Sequence, residues 1–303
     1  MARDKRTDAQ RETALVVANH GRRYRVELAD GSELDCMTRG KRSDVAVGDM
    51  VHIARTGDGG VIESTGERRT LFYRSDARRQ KLIAANATQV VLVVAAEPAW
   101  SEDLVNRCLV GAEHAGIKAT IALNKIDLPE AEKALVTLEL YAKLGYTVVP
   151  FSAKRDLTPL TQCLTGHVSV LVGQSGMGKS TIVNGLVPHA AARVAEISVA
   201  LGTGKHTTTH AELYHLGGDS HIIDSPGLQE FGLHHLTPDD AARAFVEFRA
   251  FLGDCRFRDC RHISEPGCAV LDGKSRGEIS ERRYASYARL ADELSRKLAA
   301  WEM

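Results

Sequence analysis

Residues 173–180 read Gly-Gln-Ser-Gly-Met-Gly-Lys-Ser. Gly173, four residues, then Gly178-Lys179-Ser180 is the spacing of a phosphate-binding P-loop. The apolar run Val168-Ser169-Val170-Leu171-Val172 precedes it, and Thr181-Ile182-Val183-Asn184-Gly185-Leu186 follows as a helix start. A strand, a Gly-rich loop and a helix are the context in which the motif works. Glycines let several backbone N–H groups converge on one anion, and the helix N-terminus adds partial positive charge. The loop residues Gly173, Gln174, Ser175, Gly176, Met177, Gly178, Lys179, Ser180 and Thr181 are therefore expected to surround a nucleotide's phosphates. Lys179 reaches the outer phosphates, and the Ser180 hydroxyl takes a place on Mg²⁺.

Outward from this loop the chain alternates strands and helices from about residue 86, which predicts a mostly parallel sheet with helices on both faces. Ligand loops in such a fold sit at the C-terminal ends of strands. Three more motifs fall at such ends. The strand at 119–123 runs into Asn124-Lys125-Ile126-Asp127. The carboxylate of Asp127 can accept both guanine donors, N1–H and N2–H₂, whereas adenine leaves it unpaired. Asn124 would brace the loop, and the stem of Lys125 would cover the base. The strand at 147–151 runs into Ser152-Ala153-Lys154, whose Ala153 N–H could donate to guanine O6. The strand at 220–224 runs into Asp224-Ser225-Pro226-Gly227, a DxxG sequence. Asp224 would hold Mg²⁺ through water, and the Gly227 N–H would meet the γ-phosphate. Thr207, Thr208 and Thr209 offer a hydroxyl to Mg²⁺ from the preceding loop, as in GTPase switches. Together these motifs predict GTP binding. Their order is unusual: the two base-reading motifs precede the P-loop, so the domain reads as circularly permuted.

The 303 residues leave room for two or three domains. The formal charge is zero, 39 basic against 39 acidic side chains, but it is unevenly spread. Residues 1–81 hold 17 Lys/Arg and 13 Asp/Glu, a net +4, which is where a polyanionic partner is expected. The polar start and the absence of a long apolar stretch predict a cytoplasmic protein with no membrane partner; a monomer is expected, though nothing in the sequence fixes the oligomeric state.

Residues 13–65 read as five short strands with turn signals at His20-Gly21, Asp30-Gly31, Val47-Gly48-Asp49 and Gly57-Asp58-Gly59. That pattern suits a small closed barrel, OB-like or SH3-like. Arg22, Arg23, Arg25, Arg39, Lys41, Arg42 and Arg55 lie on or beside the strands and could meet RNA, or be ordinary surface arginines. Residues 66–85 read as a basic connector. After Thr237-Pro238-Asp239-Asp240, a strong helix start, Phe245, Phe248 and Leu252 form one stripe, and a second amphipathic helix runs from about Glu281 to Leu298. Between these helices lies Cys255-x4-Cys260-x-His262-x5-Cys268, a Cys₃His set suited to one tetrahedral structural Zn²⁺. The alternative is free buried cysteines.

With its permuted motif order, Gly204-Lys205-His206-Thr207-Thr208-Thr209-His210 and this cysteine spacing, nearly the whole chain resembles the ribosome small-subunit-dependent GTPases. The resemblance implies a tail at 1–12, an RNA-binding OB-fold at 13–68, a permuted α/β P-loop GTPase domain at 69–235 and an α-helical zinc-binding domain at 236–303. It also implies action in late maturation of the small ribosomal subunit, with hydrolysis stimulated by that subunit and its rRNA. Potassium-activated assembly GTPases carry Asn where this chain has Gly176, so potassium dependence is not implied. The position after DxxG, where Ras-like enzymes keep a water-orienting Gln, is Leu228. His206 is the candidate for that role, with Gln229 or ribosomal RNA as alternatives; Lys179 and Thr208 complete the expected catalytic set. A non-catalytic GTP-gated RNA-binding module, or a GTPase acting on a protein partner, stays open.

Overall fold

Strand β1 (Arg11–His20) belongs to two structures at once. In this computed structural model, which describes residues 11–40, 44–188 and 210–301, its first half pairs with β4 (Met50–Thr56) from Arg11↔Ala54 to Leu15↔Met50. Its second half pairs with β12 (Ala211–Gly217) at Ala18↔Glu212 and Asn19↔Ala211. A bulge between Val16 and Ala18 separates the two registers on the opposite partner, β2 (Arg23–Glu27). The barrel closes in the order β1-β2-β3-β5-β4-β1, where β3 is Glu33–Thr38 and β5 is Gly59–Thr65. β3 and β5 run parallel and every other pair is antiparallel. This five-stranded closed barrel has OB topology. Apolar residues alternate inward: Val16, Tyr24, Val26, Val51, Ile53 and Ile62 are all buried.

Through β12 the barrel strands continue into a six-stranded α/β sheet, ordered β10-β9-β8-β11-β13-β12. Its strands are β8 (Gln89–Ala95), β9 (Lys118–Asn124), β10 (Thr147–Pro150), β11 (Val168–Val172) and β13 (Ser220–Asp224), all parallel, with β12 antiparallel at the edge. Strand β8 is buried along its whole length, as a central parallel strand covered on both faces must be. Helices α1 (Glu102–His114), α2 (Ala131–Lys143), α3 (Thr158–Leu164) and α4 (Lys179–Leu186) flank the sheet. Ser101 caps α1 by accepting from the Leu104 N–H.

Residues 66–85 are not a bare connector. They contain a hairpin, β6 (Leu71–Ser75) and β7 (Gln80–Ala85). The exposed basic tip hides the strand signal of Leu71-Phe72-Tyr73 and Leu82-Ile83-Ala84, which is satisfied only by distant partners. Phe72 stacks on Phe231 at 5.2 Å, and Ser75 forms a parallel bridge with Leu233. The segment after DxxG is thereby pinned: Ser75 N–H donates to Gly232 O at 2.9 Å, and Leu228, Phe231, Leu233 and Leu236 are buried.

The C-terminal part contains α5 (Pro238–Ala244), a 3-10 turn (Val246–Phe248), α6 (Ala269–Ser275) and α7 (Glu281–Trp301). Thr237 and Asp240 form a reciprocal capping box at the start of α5. The expected Phe stripe does not lie on one helix: α5 ends at Ala244, and Phe248 is presented from the 3-10 turn. Both phenylalanines are still buried, against Tyr287 of α7. Arg283 of α7 is fully buried and binds Glu247 at 2.7 and 3.1 Å and Asn106 Oδ1 of α1 at 2.7 Å. Tyr141 of α2 donates to the same Asn106 oxygen at 2.8 Å, so one buried polar network ties the C-terminal helices to the α/β sheet. Among the described residues no helix is long and apolar enough to cross a membrane.

Candidate guanine-nucleotide site and metal centre

The C-terminal ends of β8, β9, β10, β11 and β13 point to one side of the sheet. The P-loop leaves β11 there. Gly173 (φ 155°) and Gly178 (φ 97°) adopt conformations that disfavour side chains. A Cβ on Gly173 would also strike the Val93 carbonyl, and one on Gly178 the Asn124 amide. Gly178 caps α4, so the first turn of that helix begins at Lys179 with Ser180 and Thr181 exposed beside it. The Lys179 ammonium lies across the loop, donating to Gly173 O at 2.7 Å and Gln174 O at 2.9 Å. Burial pushes its pKa down, and the carboxylate of Asp224 opposes that shift. Asp224 is buried at the end of β13. Gly227 lies beside Ser175 and the Lys179 ammonium, and Leu228 N–H donates to Gly173 O at 3.0 Å.

Asn124 joins this loop to the other two. Its Nδ2 donates to Met177 O at 2.9 Å, and its Oδ1 accepts from Lys125 N at 2.8 Å and Ala153 N at 2.9 Å. The Ala153 amide, expected to face guanine O6, is thus engaged within the protein. Lys125, at φ 63°, sends its ammonium to Glu97 O at 2.6 Å and Gly176 O at 2.9 Å. Asp127 accepts from the Ser152 hydroxyl at 2.6 Å, and that bond holds its pKa below the ordinary carboxylate value. Arg155 Nε stands 4.0 Å from the other Asp127 oxygen, and Lys154 follows in the same turn. Sequence reading missed one tie: Gln174 Oε1 accepts from Ser101 N at 2.7 Å, fastening the P-loop to the start of α1. His206, Thr207, Thr208 and Thr209 lie outside the described residues, as do Lys41 and Arg42 of the barrel. Leu228 packs in the core, while Gln229 is exposed and lines a separate cleft of about 690 Å³ with Arg79 and Arg107.

Cys255, Cys260, His262 and Cys268 converge, with all four ligand atoms within 4.8 Å of one another. Cys255 Sγ is 3.9 Å from Cys268 Sγ, and His262 Nδ1 is 3.5 and 3.4 Å from those two sulfurs. A tetrahedral ion with ordinary Zn–S and Zn–N bonds sets S···S at about 3.8 Å and N···S at about 3.6 Å. The donor set therefore fits one metal ion. Burial lowers the His262 pKa, which favours the neutral, ligating imidazole, and burial raises the Cys260 thiol, a shift that a dication would reverse. The loop is braced from α7: Tyr284 OH donates to His262 O at 2.9 Å and Tyr287 OH to Arg261 O at 2.7 Å. Arg256, Phe257, Arg258 and Arg261 are exposed around it. On the barrel, Arg25, Arg39 and Arg55 are paired with carboxylates, whereas Arg22 and Arg23 have no such partner among the described residues.

A P-loop on the central strand, with the base-reading loops on strands that precede it in the chain, defines a circularly permuted GTPase. The chain belongs to the RsgA GTPase family, whose model matches residues 65–234. It is 52% identical to the small ribosomal subunit biogenesis GTPase RsgA of Nitrosomonas europaea over 94% of this chain and 92% of that protein. It is 51% identical to the protein of the same name from Nitrosospira multiformis over 92% of this chain and 90% of that one. Among solved structures, YjeQ from Thermotoga maritima superposes with a TM-score of 0.71 at 30% identity, covering 94% of this chain and 98% of YjeQ. YloQ, described as a circularly permuted GTPase, superposes at 0.68 and 25% identity, covering 98% and 99%.

Proposed function

We propose that this chain binds the small ribosomal subunit and hydrolyses GTP during late maturation of that subunit. The observation that carries the reading is Asn124, one buried side chain that holds the two base-reading loops against the P-loop. The names of the relatives support the partner. In this reading Asp127 accepts the guanine N1–H and N2–H₂, with Ser152 orienting its carboxylate. Lys179 exchanges the Gly173 and Gln174 carbonyls for phosphate oxygens, and the Gly227 amide meets the γ-phosphate. Ser180, Thr208 and Asp224 would hold Mg²⁺, which when bound neutralises charge on the β- and γ-phosphates. The four clustered ligands would hold one structural Zn²⁺. Arg22 and Arg23 on the barrel and the exposed arginines of the zinc loop supply phosphate contacts to rRNA. We assign the working boundaries 1–12, 13–68, 69–235 and 236–303, a cytoplasmic location and a monomer. His206 would orient the attacking water.

The test is GTP turnover with and without purified small subunits. Turnover alone should be roughly 10⁻⁴ to 10⁻² s⁻¹, as in unassisted GTPases, and should rise at least about tenfold with subunits. No hydrolysis, or hydrolysis indifferent to subunits, overturns the proposal. His206→Ala should abolish most of the stimulation while leaving GTP affinity intact; unchanged stimulated turnover shifts the role to Gln229 or rRNA.

A further inference from the structure

Behind the DxxG loop lies a cavity of about 360 Å³, walled by the barrel, the β6–β7 hairpin and the loop itself. Ser225, Pro226 and Gly227 form its nucleotide end, and Arg74 and Lys81 stand in its hairpin wall. His210 lines it too, and none of its described lining residues is an Asp or Glu. Both cations also border the neighbouring cleft, with Asp76, Asp103, Glu230 and Glu293, but neither is ion-paired there among the described residues. Arg74 is partly buried, its Nη1 donates to the neutral Glu230 carbonyl at 2.9 Å, and its Nε is buried with no hydrogen-bond partner. Neither Arg74 nor Lys81 has an ion-pair partner among the described residues. The contrast with Arg107 in the neighbouring cleft is plain, since Arg107 is paired with both Asp103 and Glu293. A guanidinium that meets only a neutral carbonyl, beside a lysine and with no carboxylate among the described lining residues, suits an anion. The guanidinium fork matches a tetrahedral oxyanion. The volume equals the share of about twelve waters, enough for such an anion with part of its hydration shell.

We propose that this cavity is a second anion site, which takes the inorganic phosphate leaving the nucleotide site. It rests on the GTP-hydrolysing reading above. Gly227 borders both places: it lies beside the Lys179 ammonium on one side and lines the cavity on the other. A phosphate dianion cut from GTP passes from Lys179 around the loop toward uncompensated positive charge. Arg74 and Lys81 receive it there, and water then carries it out through the open mouth.

The experiment titrates inorganic phosphate into the full-length protein loaded with GDP and Mg²⁺, observed by ³¹P NMR. A second titration uses protein loaded with a non-hydrolysable GTP analogue, which fills the γ-phosphate position. Phosphate should bind in both. Arg74→Met should weaken it about tenfold, the loss expected for one charge-assisted contact, and Lys81→Met should weaken it further, with GDP affinity unchanged. Binding that disappears with the analogue, or is indifferent to Arg74→Met, overturns the proposal. Displacement of phosphate by a short RNA oligonucleotide also overturns it, because the site then belongs to an RNA backbone. GDP binding and GTP turnover of the same wild-type sample show separately whether the nucleotide reading stands.

Discussion

Replacing Asn124 with Ala removes the side chain that three loops share. Of its three hydrogen bonds, the one to Lys125 N is local, and that amide can turn to water. The other two cross between loops, to Met177 O and Ala153 N. Met177 is 1% exposed, so its carbonyl loses its partner where water does not readily replace it, whereas Ala153 is only partly buried. A buried polar group left unsatisfied costs about 1–3 kcal/mol, and the partly buried Ala153 amide adds a fraction of that, about 2–4 kcal/mol in all before relaxation. Taking about 3 kcal/mol after relaxation, and a factor of ten per 1.4 kcal/mol, guanine-nucleotide affinity falls roughly 150-fold if the whole cost appears in binding. Part will appear as lost stability instead, so two assays are needed together: titration with a fluorescent GDP analogue, and urea denaturation without nucleotide. Asn124→Asp is the companion variant. It keeps both acceptor bonds but sets a carboxylate against the Met177 carbonyl. If Asn124→Ala binds GDP within threefold of wild type and its denaturation midpoint is unmoved, the loops are held by something else and the reasoning fails.

Asp127→Asn should reduce GTP binding and favour xanthine nucleotides, whose position 2 is an acceptor; equal wild-type affinity for ATP and GTP would contradict the role of Asp127. Because the Ser152 bond depresses the Asp127 pKa, that carboxylate stays ionised as pH falls through its ordinary range, and Ser152→Ala should move the acid loss of GTP affinity to higher pH. Cys268→Ser, or chelation, should remove one Zn²⁺ per chain and unfold the 255–268 loop; metal analysis finding no zinc in folded protein would count against the site. Arg283→Met leaves Glu247 buried at 4% exposure without its counter-ion and should cost about 3–5 kcal/mol in denaturation, whereas adding Glu247→Leu should recover most of it; a double variant no better than the single would refute the pairing.

The nucleotide loops were legible because each is a short run of residues whose flanking pattern names its own secondary structure. The same holds for the barrel strands, punctuated by Gly21, Gly31, Gly48 and Gly57, all at positive φ. The Cys₃His set was legible because its four ligands fall within fourteen residues. What could not be read is what depends on distant partners. The β6–β7 hairpin makes sense only against Phe231 and Leu233, and its exposed basic tip reads as a linker. Arg283 looks like one more surface arginine on an amphipathic helix until Glu247 and Asn106, 36 and 177 residues away, meet it. The Ala153 amide, taken by Asn124, follows from loop packing that no local pattern encodes.

The continuity of barrel and α/β sheet bears on self-association. A sheet of eleven strands would ordinarily expose two unpaired margins, each a template for adding another chain. Here one margin vanishes, because β4 returns to β1 and closes the barrel. The other is β10, only four residues long and ending in Pro150, which cannot donate to a neighbouring ladder. A new strand therefore finds little more than one turn's length of backbone to grip. Among the described strands, closure of the barrel and the short, proline-ended β10 reduce the backbone open to edge-to-edge pairing.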